Sequence, residues 1–165
     1  MALSANTLFS INATLTKALD LSNPEDALSV TSRASWGDAT GDDNEAEFLY
    51  HDTVDIADGA SSTIDLTALT DGLGTDISAM DELQVLWIRL IDNADGGGLI
   101  IGGGASPLLI VSAADTILLP PGGVFIMIFP AGIDSLNTNP NLKLEHDGTG
   151  TTAIEVELVV IGNEA

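Results

Sequence analysis

Two stretches of this chain are apolar on both faces of an extended strand. In Leu83–Ile91 (LQVLWIRLI) one face carries Leu83, Val85, Trp87, Arg89 and Ile91, and the other carries Leu86, Ile88 and Leu90. Val124–Phe129 (VFIMIF) is apolar throughout. A strand with water on one side alternates, so neither stretch is a one-sided strand. Between them lie the glycine-rich run GGGLIIGGG and the turn Pro120-Pro121-Gly122-Gly123. This block, Leu83 to Phe129, needs a cover on each side, and the rest of the chain is read for what supplies it.

The flanks supply amphipathic strands. In Thr7–Thr16, Phe9, Ile11, Ala13 and Leu15 share one face while Ser10, Asn12, Thr14 and Thr16 share the other, which predicts a half-buried strand. Asn23-Pro24 breaks the chain, and SNPEDA is compatible with one helical turn. Leu28–Arg33 reads as a short strand, and Trp36–Glu47 (WGDATGDDNEAE) as a polar loop rich in turn residues. Phe48–Ile56, Thr63–Leu69, Leu99–Ile101, Leu108–Val111, Thr116–Leu119, Leu142–His146 and Thr152–Ile161 are further strands. About nine to eleven short strands with turn signals at this spacing predict an all-β, antiparallel sandwich or barrel. No helical period of useful length and no internal repeat is present. The expectation is one domain over residues 1–165, with residues 1–16 as an N-terminal arm or exchanged strand.

Charge narrows the function classes. The chain carries 25 acidic residues against four Lys and Arg, a formal charge of −21. Nucleic-acid binding draws its affinity from cations that displace counterions, so nucleic acid is not an expected partner. An anionic membrane surface is disfavoured for the same reason. No run of eighteen apolar residues occurs, and MALSANTLFSINATLTK lacks the basic and apolar regions of a signal peptide. The absence of cysteine excludes disulfides, thiolate catalysis and Cys-based zinc sites.

Few constellations carry chemistry. GGGLIIGGG lacks the Lys-Ser/Thr and the helix of a phosphate loop, and reads as hairpin glycines with a close backbone contact. Asp38, Asp42, Asp43 and Glu45 form the best candidate metal cluster, for a structural calcium, although the spacing is not that of an EF-hand. His51 and His146 are the two histidines, with no nucleophile-elbow motif nearby, so an enzyme is not expected. Arg89 on an apolar face is either an interface arginine with a carboxylate partner or a snorkelling one. Trp87 reads as core, while Trp36, in the acidic loop, is a candidate sugar-stacking residue. Surplus apolar surface on the central block makes Trp87, Arg89, Phe125, Met127 and Phe129 candidate residues of an oligomer or lattice interface.

Most of the chain resembles a group of small proteins encoded among tailed-phage structural genes. The resemblance is carried by SRASWGDATGDDNEAEFLYHDTVDIADGASSTIDL, IDLTALTDGLGTDISAMDELQVLWIRLIDN, GGGLIIGGG, ILLPPGGVFIMIFP and LKLEHDGTGTTAIEVELVVIG. It implies an antiparallel β-sandwich virion component, jelly-roll-like, with capsid decoration the preferred role and a tail or fibre part the next. The partners it implies are further copies, as a homotrimer, and the major capsid or another virion protein. Where a lysine is usual in the central strand this chain has Gln84-Val85 or Leu86, so no basic contact carries over. The alternative is a calcium- or glycan-binding sandwich module built on the Trp36–Glu47 loop.

Overall fold

A computed structural model describes residues 3–16, 25–38, 45–71, 74, 76–91, 97–108, 113–134, 136 and 138–164, with the side chains of 15, 16, 25, 26 and 38 excepted. The turn expected at Asn23-Pro24, the acidic stretch 39–44, the residues 92–96 and most of Leu108–Val111 lie outside these. The described residues form eleven strands and no helix: β1 (Ala5–Thr16), β2 (Glu25–Asp38), β3 (Glu45–Ala46), β4 (Phe48–Ile56), β5 (Ser61–Asp65), β6 (Glu82–Leu90), β7 (Leu99–Gly102), β8 (Thr116–Leu119), β9 (Val124–Asp134), β10 (Asn141–His146) and β11 (Ile154–Asn163).

The last eight strands make two four-stranded antiparallel sheets, β4-β11-β6-β9 and β5-β10-β7-β8. One apolar core joins them. From β11 it takes Ile154, Val156, Leu158 and Val160, from β6 Leu86, Ile88 and Leu90, from β10 Leu142 and Leu144, and from β7 Leu99 and Ile101. The period-2 alternation in the sequence sets these choices: Glu155 and Glu157 of β11 and Lys143 and Glu145 of β10 point the other way. Each fully buried Leu or Ile contributes about 1.5–3 kcal/mol over an exposed one, so this cluster accounts for the sandwich.

The both-faced apolar strand β6 is explained by a change of phase. Its register against β9 jumps from Leu83↔Ile133 to Val85↔Ile128, and its register against β11 shifts between Ile161 and Gly162. The irregularity at Gln84 lets Leu83 join Leu86, Ile88 and Leu90 in the main core while Val85 faces outward into a second cluster. The Gln84 amide nitrogen donates to the Glu45 carbonyl, which ties β3 to this point.

The N-terminal part departs from the expectations. β2 runs fourteen residues rather than from Leu28 to Arg33, because it pairs with all of β1, from Ala5↔Trp36 to Thr16↔Glu25. The stretch at Thr7–Thr16 is not half buried: residues 8–14 and 27–33 are exposed on both faces. Trp36 to Asp38 finish β2 rather than opening a loop, and Trp36 is 2% exposed, which removes it as a sugar platform.

The glycines and His146 are structural. Gly97 sits against the His146 ring: a Cβ there would lie 2.7 Å from Nε2. The Gly148 N–H donates to His146 Nδ1 (3.0 Å) and Nε2 lies 3.1 Å from the Thr152 carbonyl, so the ring is held at both nitrogens. Asp147 is next to it. Burial opposes ionisation of Asp147, but hydrogen bonds from Thr149 and Gly98, with His146 adding attraction, hold its carboxyl below the ordinary 3.8.

The bulge gives a test. A Cβ on Gly162 would collide with Met80 Sδ and lie 2.5 Å from the Glu82 carbonyl oxygen, whereas one on Gly37 would meet nothing within 4 Å. Gly162→Ala is expected to cost about 1–3 kcal/mol by overpacking, and Gly37→Ala less than about 0.5 kcal/mol, both read by urea unfolding.

Candidate docking surface

The sheet β4-β11-β6-β9 has a second face, turned away from the core, and its residues follow from the strand registers. Residues directly opposite one another share a face. One row is Leu49, Ile161, Val85 and Ile128; the next is His51, Val159, Trp87 and Ile126; the third is Thr53, Glu157, Arg89 and Val124. The first two rows are almost wholly apolar, so the face needs a cover.

The paired strands β1 and β2 supply part of it. Ala5 and Trp36, opposite each other at the base of this arm, pack with Ala46, Val85 and Ile161, and Leu3, Ala34, Ile128 and Val159 close round them. The Trp36 indole N–H donates to the Pro130 carbonyl on β9 (3.3 Å). Past this anchor the arm lifts away. A cleft of about 300 Å³ opens between arm residues 6–9 and Trp87, Ile126 and Val159 of the second row.

The arm is itself two-faced. The face that buries Ala5 and Trp36 continues through Thr7/Ala34 and Phe9/Ser32 to Ile11/Val30 and Ala13/Leu28. The other face is Asn6/Ser35, Leu8/Arg33, Ser10/Thr31 and Asn12/Ser29, with Ser29 donating to Asn12 Oδ1 at 2.8 Å. The apolar alternation seen in the sequence is therefore real, but its distal half has no sheet under it: Ile11 is 44% exposed, Val30 46% and Leu28 55%.

The candidate interface residues divide. Trp87 and Arg89 lie on the outer face, Trp87 half buried rather than core, and Arg89 exposed and paired with Glu157 at 3.3 Å. Such a pair is worth about 0–1 kcal/mol. Phe125, Met127 and Phe129 point the other way and pack against the main core. The outward residues of β9 are Val124, Ile126 and Ile128, which an unbroken apolar run could not distinguish by parity. Among the calcium candidates, Asp42, Asp43 and the Asp38 side chain lie outside the described residues, and Glu45 opens β3. Among the described residues no three His, Asp or Glu side chains stand together to hold a metal. Likewise, no described helix is long and apolar enough to cross a membrane.

No protein-family model matches the chain, and no curated protein is significantly similar to it. The reading of this surface therefore stands on its residues.

Two measurements follow. Trp36→Ala should free the arm at its anchor: amide exchange in 5–38 accelerates while β6 and β11 keep their protection. Tyr50, the single tyrosine, sits on β4 with its hydroxyl donating to Asp52 (3.1 Å). Burial, then the Asp52 charge and that hydrogen bond, push its pKa from 10.0 up to about 12. A raised pKa means stability that is full below pH 10 and is lost as pH climbs toward 12. Phenolate absorbance should show a native midpoint about two units above that of the urea-unfolded chain.

Proposed function

We propose that this chain is a non-enzymatic virion structural protein of the capsid-decoration kind, which binds the assembled head lattice of a tailed phage as a homo-oligomer, a trimer. The observation that carries the reading is apolar surface left over after the core is closed. The distal arm and Ile126 of the second outer row stay exposed once the core is closed, and both present large apolar side chains. Surfaces of this kind mark interaction sites.

Two further features support it. The strand orders 1-8-3-6 and 2-7-4-5, counted from β4, support reading the sandwich as a jelly roll, the double-sheet arrangement of viral capsid and lectin domains. The charge of −21 also suits a protein that works beside packaged nucleic acid without adhering to it. The mechanism is mass action. A subunit that binds the assembled lattice and not its dissociated parts stabilises assembly by about 2.7 kcal/mol at a free concentration a hundred times its Kd.

The test is electron microscopy of purified particles carrying the chain, with co-sedimentation alongside. Density for the sandwich on the outside of the head, and pelleting with heads but not with dissociated capsid protein, are expected. A particle with no such density, or equal binding to both forms, retires the proposal.

A further inference from the structure

The arm and the outer sheet face are two halves of one contact, and each is half used within the chain. At its base the arm lays Ala5 and Trp36 on Val85 and Ile161. Its apolar face then runs on past Phe9 for about four more residues, some 13 Å of strand, with Ile11, Val30, Ala13 and Leu28 exposed among the described residues. On the sheet, Ile126 and Val124 remain exposed at 41% and 46%, beside half-buried Trp87. We propose that the distal arm of one copy packs on the second and third outer rows of another copy, over Trp87, Ile126 and Val124. This inference names the oligomer contact of the function proposed above, but its test is independent of any lattice.

Three observations select a second copy as the occupant. The first is continuity: the same arm face already rests on this same sheet surface at its root, so the complementary chemistry is built into each copy. The second is charge. Copies bearing −21 repel one another, and only an acid-free surface lets them approach. Residues 1–19 and 27–37 contain no Asp or Glu, although the chain has 25. Through 5–14 and 27–36 the arm thus pairs two acid-free stretches, with Arg33 a cation among them; Glu25 and Asp26 lie beyond, opposite Thr16 and Leu15. On the sheet, the row His51, Val159, Trp87 and Ile126 is free of carboxylates, and the one carboxylate of the third row, Glu157, is paired with Arg89. The third is reciprocity. Every copy holds one exposed arm tip and one partly open sheet face, so exchange uses both, either as a twofold pair or as a ring in which each arm reaches the next sheet.

The natural lack of cysteine makes the contact readable. Tagged Ile11→Cys chain is mixed with untagged Val124→Cys chain and treated with a short bismaleimide, so that a tagged–untagged product can arise only between copies. Leu118→Cys, exposed on β8 of the opposite sheet, is the control partner. Light scattering on the unmodified chain reads the mass. Ile11→Thr with Val30→Thr keeps strand propensity and removes the apolar face.

The expected result is a dimer or trimer, cross-linking with Val124→Cys at least tenfold above the Leu118→Cys control, and at least tenfold weaker self-association for the double threonine variant at unchanged thermal stability. A monomer at tens of micromolar, equal cross-linking to both partners, or an oligomer indifferent to the threonine changes overturns the proposal. A monomer that binds neutral phosphatidylcholine vesicles through the arm also overturns it, in favour of lipid. Failure to bind phage heads by an arm-exchanged oligomer removes the decoration role and leaves the exchange standing; the converse result removes the exchange alone.

Discussion

Everything in this molecule leans on β6 and β11, a central strand pair that is apolar on its core face and again at Val85, Trp87, Val159 and Ile161 on the other. Such a pair cannot be finished by one layer. The sheet β5-β10-β7-β8 closes one side, and the bulge at Gln84 and Gly162 adjusts the phase so that Leu83 still reaches that core while Val85 and Ile161 turn outward. The other side is then obliged to find a second cover. Trp36, far away in sequence, supplies the anchor of that cover, and the two-stranded arm exists in its present position because this one indole is buried on Val85 and Ile161.

Much of this was legible beforehand, for definite reasons. Strands with one wet face announce themselves by alternation, so β10 and β11 were read almost residue by residue from Leu142, Leu144 and Ile154 to Val160. The demand for two covers on Leu83–Ile91 was also visible, since no polar face exists there. Three things were hidden. Parity in an unbroken run such as Val124–Phe129 is decided by pairing with β6, so the run alone put Phe125, Met127 and Phe129 on the surface when they face the core. The length of β2 depends on its partner β1 and not on its own composition. The burial of Trp36 is a long-range event, while its local neighbours Gly37 and Asp38 signal a loop.

The candidate surface was legible only as a surplus. Counting apolar faces showed that something had to lie over the central block, while Trp87, read as core, stands half buried on the outward face of β6 beside exposed Arg89. The rows themselves, with Ile126 beside Trp87 and Val159 beside His51, require the registers of four strands. Acidity, by contrast, was fully visible in composition, but its meaning changes once the arm is located: the carboxylates are not spread evenly, and the paired stretches 5–14 and 27–36 are where they are missing.

Pro130 adds a consequence of another kind. It sits within β9, the border strand of its sheet, where it has no N–H to offer, and its carbonyl is already taken by the Trp36 indole. A border so blunted resists growth by adding strand to strand, the route to open-ended fibrils. Contact between molecules is thereby diverted from backbone to side chain, and a chain with this much bare aliphatic surface gains protection from polymerising without limit.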